Sequence, residues 1–301
     1  MHASAATSTT RVDVYTRVTE KIIADLENVR RPWHKPWTDN VAGTPATMPL
    51  RHNGVAYRGV NVLLLWGAAI ERGYRAPIWM TFKQAQELGA HVKKGETGTP
   101  IVYANRITAT ETGENGEDEE RHIAFMKGYT VFNVEQIEGL PAQYQPPAAA
   151  SAIPLPETLV AAERFFATTG ATFRHGGNRA CYSRAADVIQ LPPLAAFHDA
   201  ESYAATKAHE LVHWTGHGTR LAREFGKRFG DNAYAFEELI AELGAAFLCA
   251  MLGVTPEIQP DHADYLAYWL SILKADKRAI FTAAAQAQAA ADFLHSLQSS
   301  Q

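Results

Sequence analysis

The feature that most constrains how this chain can fold is an apolar segment with two histidines four residues apart. In the run KAHELVHWTGH, His209 is followed directly by Glu210, and His213 completes the motif. Side chains four residues apart lie on one face of an α-helix, so both imidazoles can reach the same ion. The flanking residues are mostly apolar and indicate a buried helix, in which polar side chains need partners. The sequence therefore predicts a buried helix at a metal site.

The H-E-x-x-H spacing is that of zinc peptidases. We predict that His209 and His213 bind Zn²⁺, with another divalent metal as the alternative occupant. Glu210 is the predicted general acid/base, because a metal lowers the pKa of bound water towards about 7 and a neighbouring carboxylate can accept its proton. An amphipathic helix with two surface histidines is the competing interpretation, and the apolar flanks argue against it.

A third ligand is expected from the apolar run AYAFEELIAELGAAFLCAML, which holds Glu237, Glu238 and Glu242. Glu238 and Glu242 share a helix face, where two carboxylates are costly unless a metal or a histidine satisfies them. We predict that Glu238 binds the metal and that Glu242 accepts a hydrogen bond from a ligand histidine. The reverse assignment is the alternative. Glu237 lies about 100° round the helix and is predicted to face solvent.

His217 is a competing ligand, because it lies four residues beyond His213. It is out of register with the longer pattern H-E-x-x-H-x-x-G-x-x-H, whose last position holds Thr219 here. We therefore expect His217 near the cleft or at a helix end. The segment ACYSRAADVIQLP precedes the metal helix and predicts a hairpin whose edge could hold an extended peptide, with Tyr182 and Asp187 as candidate cleft residues.

The length of 301 residues predicts about two domains. The Pro/Ala-rich stretch 143–156 is the best linker candidate, which gives a domain at 1–145, a linker at 146–156 and a second domain at 157–301. The predicted class is α+β. The N-terminal domain mixes helices with an antiparallel sheet, and the C-terminal domain is mostly helical with a small sheet.

Local patterns place the main elements. Helical periodicity begins at Val12, a second helix begins near Asn61, and a third is capped by Thr81 and ends at Gly89. The runs PIVYANRI and HIAFMKGYTVFNVEQ predict strands on either side of an acidic loop, TATETGENGEDEERH. From about Ser202 onward the pattern is helical.

Composition excludes a few classes of protein. The only two cysteines, Cys181 and Cys249, are too few for a disulfide framework or a cysteine zinc cluster. The N-terminal residues lack the apolar core of a signal peptide, and no run approaches the roughly 18 apolar residues of a membrane span. We therefore expect a cytoplasmic protein of a bacterial host, with no membrane partner.

The N-terminal half interleaves aromatic and basic residues. Outside the acidic segment 111–120, residues 1–145 contain 16 Lys and Arg against 10 Asp and Glu. Single-strand DNA binders combine aromatic stacking with cationic grooves. The candidate DNA-binding residues are Trp33, Lys35, Trp37, Tyr57, Arg58, Lys83, Lys93 and Lys94. The alternative is that the aromatic members belong to the core.

The chain resembles the ArdC-type antirestriction proteins of conjugative plasmids, which are related to the N-terminal regions of plasmid primases. The resemblance rests on HELVHWTGH and YAFEELIAELGAAFL in the second half, and on PWHKPW, YRGVNVLLLW, WMTFKQAQELGAHVKKGETG and YTVFNVEQIEGLP in the first. It implies an N-terminal domain that binds single-stranded DNA, a C-terminal zincin-like metallopeptidase domain, and protection of entering plasmid DNA from host restriction. The family's metal motif falls on His209, Glu210, His213 and the Glu238 region.

Two functions follow from the combination. In the first, a DNA-binding protein carries an active zinc peptidase site. Its substrate is a protein, for which a component of the host restriction system is the candidate. In the alternative, a non-catalytic protein coats single-stranded DNA, and its metal site is structural or vestigial. A metal-dependent nuclease is the weakest hypothesis, since no phosphate-binding glycine motif lies near the histidines.

Overall fold

The computed structural model describes residues 13–28, 33, 47–112, 118–144, 155–224, 232–254 and 263–299. The elements of the N-terminal half are, in chain order, α1 (Val14–Glu27), β1 (Leu50–Arg51), α2 (Val60–Arg72), β2 (Ile78–Met80), α3 (Phe82–Glu87), β3 (His91–Val92), β4 (Thr99–Thr112), β5 (Asp118–Asn133) and β6 (Ile137–Glu138). Those of the C-terminal half are α4 (Leu155–Thr168), β7 (Thr172–His175), β8 (Cys181–Ser183), β9 (Val188–Leu191), α5 (Ala200–Thr215), α6 (Asn232–Leu252), α7 (Ala263–Ala275) and α8 (Ala279–Ser296).

Local chemistry explains several helix ends. Helix α2 ends at Gly73, whose φ of 70° is a left-handed conformation that glycine adopts without a Cβ penalty. Helix α3 begins with a capping box, in which Thr81 and Gln84 satisfy each other's backbone N–H groups. Helix α5 is capped by Asp199, which accepts a hydrogen bond from the backbone N–H of Ser202 at 2.6 Å. The end of α2 and the start of α3 confirm the expectations from the sequence, whereas the cap of α5 was not predicted.

The N-terminal sheet has the strand order β1-β2-β5-β4, with β1 and β2 parallel and the other pairs antiparallel. Strands β4 and β5 form a long hairpin, paired from Thr99↔Val131 to Thr112↔Asp118. The predicted acidic loop was too long, because residues 108–112 and 118–122 belong to these strands. Its alternating threonines favour extended backbone despite the charge. Residues 113–117 lie outside the described part.

The C-terminal sheet has the order β7-β9-β8, with β8 antiparallel and β7 parallel to the central strand β9. The predicted β8–β9 hairpin is confirmed, whereas the sequence did not reveal β7. Helices α5, α7 and α8 pack around α6. The described residues after Ser202 are mostly helical as expected, although 216–221 form turns and 222–224 have no regular structure. Among the described residues, no helix combines the length and the apolar composition that a membrane crossing requires.

One cluster of buried side chains includes members of both halves of the chain. Trp33 packs edge-to-face on Trp269 of α7, with ring centroids 6.2 Å apart. The hydroxyl of Thr19 in α1 donates a hydrogen bond to the carbonyl of Lys277 at 2.7 Å. The α+β class is confirmed, with a mixed N-terminal half and a mostly helical C-terminal half. The domain bounds stay a prediction, and residues 145–154 of the proposed linker lie outside the described part.

The contact between α5 and α6 depends on a glycine. A Cβ added to Gly244 of α6 would lie 2.8 Å from a methyl carbon of Val212 on α5. Val212 is fully buried, so its side chain has little room to move. The absence of a side chain at 244 therefore lets α6 approach the helix that carries the two histidines.

We expect Gly244→Ala to lower the free energy of unfolding. The higher helix propensity of alanine offers about 1 kcal/mol, but overpacking a close helix contact costs about 1–3 kcal/mol. Urea denaturation measures the difference. The matched control is Gly218→Ala, where an added Cβ meets no atom within 4 Å. Equal or higher stability of Gly244→Ala would contradict the assigned role of Gly244.

Candidate metal centre

Helix α5 brings its two histidines together at a single point. The Nε2 atoms of His209 and His213 lie 3.2 Å apart, and the side chains are 14% and 10% exposed. The rings are nearly perpendicular, with an interplanar angle of 79°. Two imidazole nitrogens thus converge on one small volume in a nearly closed interior.

Helix α6 supplies a carboxylate to the same volume. One oxygen of Glu238 lies 3.4 Å from Nε2 of His209, and the other lies 3.5 Å from Nε2 of His213. Ligands of a tetrahedral metal with bonds of about 2.1 Å are separated by about 3.4 Å. The three side chains therefore present donor atoms with the spacing, chemistry and burial of a divalent-metal site. Of the described residues that could bind a metal, these three form the group that converges.

The charges in this site depend on one another. Burial opposes ionisation of Glu238, but its hydrogen bonds with His209 and His213 outweigh burial and lower the pKa of the carboxyl group. Burial likewise opposes protonation of His213, yet hydrogen bonds to Glu237 and Glu238 raise the pKa of the imidazole to about 10. Protons on the imidazoles thus balance the negative charge of the carboxylates where a metal cation would bind. Metal binding must therefore release these protons.

Glu210 lies beside this group without belonging to it. Its side chain is buried, and burial raises the pKa of the carboxyl group against the lowering effect of His209 and His213. It accepts a hydrogen bond from the backbone N–H of Tyr182 in β8. A carboxylate with a raised pKa and a fixed orientation is suited to exchange protons with a reacting group.

A chain of buried charges holds the second histidine. Nδ1 of His213 lies 3.1 Å from an oxygen of Glu237. Arg223 donates two hydrogen bonds to the same carboxylate, at 3.0 and 2.8 Å, and further ones to the hydroxyl of Thr215 and the carbonyl of Val212. This arrangement orients the imidazole so that Nε2 faces the metal volume.

The prediction that Glu237 faces solvent was wrong, since this residue is 2% exposed. Helix α6 is enclosed by α5, α7 and α8, so a rotation of 100° from Glu238 leads to another buried face. The sequence did not reveal Arg223 either, because that residue follows a turn and reaches Glu237 only in the folded chain. An acidic residue inside an apolar helix was the available signal for Glu237.

The other candidate ligands take different positions. An oxygen of Glu242 lies 3.8 Å from Nδ1 of His209, on the far side of the ring from Glu238. This geometry favours Glu238 as the metal ligand and Glu242 as the residue that orients His209, which we retain as a proposal. His217 lies in the turn after α5, where its Nδ1 is 2.8 Å from the hydroxyl of Thr219.

Strand β8 forms an edge of its sheet beside the metal helix. Of the proposed cleft residues, Tyr182 donates a hydrogen bond from its hydroxyl to the carboxylate of Asp187 at 2.7 Å. Arg220 binds Asp187 with both terminal nitrogens and stacks 3.8 Å over the ring of Trp214. Their side chains therefore fasten the β8–β9 turn to the end of α5, which holds the strand edge in place next to Glu210.

The predicted DNA-binding residues are scattered in the structure. Trp33 and Tyr57 are 7% and 6% exposed, which corrects the expectation that their rings stack on bases. Arg58 forms an ion pair with Asp292 of α8. The structure does not describe Lys35 and Trp37. Lys83, Lys93 and Lys94 are exposed as well, and Lys83 lies 3.5 Å from a carboxylate oxygen of Glu87.

Two family models match the chain. Residues 12–132 match the N-terminal domain of the anti-restriction factor ArdC, and residues 160–286 match a zincin-like metallopeptidase. The second range contains all the residues of the candidate metal centre. The helices and the strand that form the centre therefore all lie within the matched domain.

Relatives match along almost the whole chain. The uncharacterized protein y4eC of Sinorhizobium fredii is 43% identical over 298 residues, which is 97% of this chain and 95% of that protein. A DNA primase TraC of Escherichia coli is 38% identical over 95% of this chain, which spans only 27% of the primase.

Two solved structures have the same overall fold. The metal-free crystal structure of the antirestriction protein ArdC from plasmid R388 is 47% identical, with a TM-score of 0.78 over 95% of this chain and 97% of that one. Its Mn(II)-bound form is 46% identical, with a TM-score of 0.77 over 96% of this chain and 99% of that one.

We expect Glu237→Gln to weaken metal binding roughly 10- to 100-fold, because the residues that orient metal-ligating histidines contribute that much. Competition with a chromophoric chelator measures the affinity. The matched control is Glu163→Gln. It removes a carboxylate that lies 2.7 Å from Nζ of Lys207, a residue on the same helix as the two histidines. Equal metal affinity in the two variants would show that Glu237 does not position His213.

Proposed function

This chain belongs to the family of ArdC antirestriction proteins, and on that basis we propose that it protects incoming plasmid DNA from host restriction. In this proposal the N-terminal half binds single-stranded DNA and the C-terminal half is a zinc metallopeptidase. The observation that carries the enzymatic part is the convergence of His209, His213 and Glu238, with Glu210 beside them.

Zinc is the metal that we propose for the site. Two imidazoles and one carboxylate form a common catalytic zinc ligand set, which leaves a position open for water or substrate. The same donors accept other divalent ions, and the R388 relative has been crystallised with Mn(II). A bound cation would supply Lewis acidity towards a peptide carbonyl and would acidify water.

The side chains divide the remaining work. Glu210 accepts a proton from the attacking water and then delivers it to the departing amine. Burial raises the pKa of its carboxyl group, which favours the carboxylate as a proton acceptor and the carboxylic acid as a later donor. Glu237 and Glu242 hold the histidine rings in place, and the edge of β8 can pair with the backbone of an extended peptide.

DNA binding in this proposal uses exposed cations of the N-terminal half. Lys93 and Lys94 lie just after β3, and Lys83 in α3 has a side chain that is 85% exposed. Lys35 and Trp37 remain candidates outside the described residues. Arg58 is exposed too, although it forms an ion pair with Asp292 that competes with a phosphate for its guanidinium group.

The alternative is a protein that coats single-stranded DNA without catalysis. One observation favours it, namely that the R388 relative has nearly the same similarity to this chain without metal as with Mn(II). The fold of that relative therefore forms without a bound ion, which fits a vestigial site better than a structural one. In this alternative the metal site has no catalytic role, and DNA coverage alone would block restriction.

We expect Glu210→Ala to retain the metal but to reduce peptide hydrolysis by about 10²- to 10⁴-fold, the usual contribution of a general acid/base. Metal analysis and cleavage of a peptide library measure the two effects. The matched control is Glu157→Ala, an exposed carboxylate of the same half. Plasmid transfer into a restricting host decides the biological role. Unchanged protection by Glu210→Ala would contradict catalytic antirestriction and favour the coating protein.

We expect His209→Ala to lose the metal while its affinity for single-stranded DNA stays unchanged, because the site lies in the other half of the chain. Fluorescence anisotropy with a labelled oligothymidylate measures the affinity. Binding should weaken as salt rises, with a slope of about −0.7 per phosphate contact. A parallel loss of DNA affinity in His209→Ala would show that the metal site participates in DNA binding.

A further inference from the structure

Two tyrosines of the β4–β5 hairpin present their rings to solvent. Tyr103 is 46% exposed and Tyr129 is 44% exposed. Their ring centroids lie 6.0 Å apart, and the ring planes are nearly perpendicular at 89°. The next residues on the same face towards the sheet, Ile101 and Val131, are buried. The tyrosines therefore stand where the hairpin leaves the core and its apolar face meets water.

The strand register places a cation beside these rings. Tyr103 pairs with Lys127, and Ile101 pairs with Tyr129. Paired residues point to the same face of a sheet, so both rings and Lys127 share one face. Lys127 is exposed. Exposed aromatic rings next to a positive charge complement a single-stranded nucleic acid, whose bases have flat stacking faces and whose backbone is negative.

Burial elsewhere leaves few other rings for stacking. Trp33 and Tyr57 belong to the core. Among the described residues of the N-terminal half, the exposed aromatic side chains are Phe82, Tyr103 and Tyr129. Phe82 packs against Phe132, with ring centroids 6.4 Å apart. Among the described residues of the N-terminal half, Tyr103 and Tyr129 are thus the two exposed rings that contact each other.

We propose that Tyr103 and Tyr129 form a stacking platform for bases of single-stranded DNA, with Lys127 contacting the phosphate backbone. This inference rests on the proposed DNA-binding function and names the site at which bases are held. Because the rings are perpendicular, two bases that stack on them cannot be parallel, so the bound strand must bend at the platform. Every base has a stacking face, so the platform would bind without strong sequence preference.

The test uses the full chain and two labelled probes, an oligothymidylate and an abasic strand of the same length, measured by fluorescence anisotropy. Tyr103→Leu and Tyr129→Leu should each weaken oligothymidylate binding by about 5- to 150-fold, the range for loss of one stacked base. Binding of the abasic strand should not change. Tyr103→Phe and Tyr129→Phe keep the rings and should bind like the wild type. The matched control is Tyr268→Leu, which removes a ring that is 37% exposed on α7.

The possible outcomes separate the platform from the function on which it rests. If the wild type binds neither probe, both the DNA-binding function and the platform are wrong. If the wild type binds and the leucine variants bind equally well, only the platform is wrong. An equal loss on both probes would also overturn it, since damage to the hairpin rather than lost stacking would be the cause. Circular dichroism checks that the variants are folded.

Discussion

A buried network of charges between α5 and α6 is the interaction on which the rest of the C-terminal half depends. Isolated charges in an apolar interior are costly, and removing one partner of a buried pair typically costs about 3–5 kcal/mol. Here each imidazole has a carboxylate next to both of its nitrogens, and Arg223 neutralises the charge of Glu237. The network requires close approach of the two helices, which Gly244 permits.

The same requirement links the site to more distant parts of the chain. Arg223 comes from the turns after α5, so the path of those turns determines how Glu237 and His213 are held. Strand β8 packs against α5 and orients Glu210 through a backbone N–H. The N-terminal half contributes through the shared core, in which Trp33 packs on α7. A metal site made from two helices thus depends on packing contributed by much of the protein.

The sequence predicted most of the candidate site because its spacing follows helix geometry. Residues four apart on α5 and a carboxylate in a second apolar helix converge as the pattern indicates. Two kinds of error remained. Glu237 was assigned to solvent because one helix was considered without its neighbours, and Trp33 and Tyr57 were assigned to DNA although composition cannot separate core from surface rings. Tyr103 and Tyr129 show the converse, since only their place on the hairpin exposes them.

The sequence by itself determined the helices, the hairpins, the α+β class and the histidine pair, because periodicity, caps and turn residues act over a few positions along the chain. Tertiary structure decided which carboxylate faces which imidazole nitrogen, that Arg223 completes the network, and which aromatic rings meet water. Those outcomes depend on contacts between residues far apart in the chain, and on how many neighbours enclose each helix. A local sequence pattern contains no information about either of these.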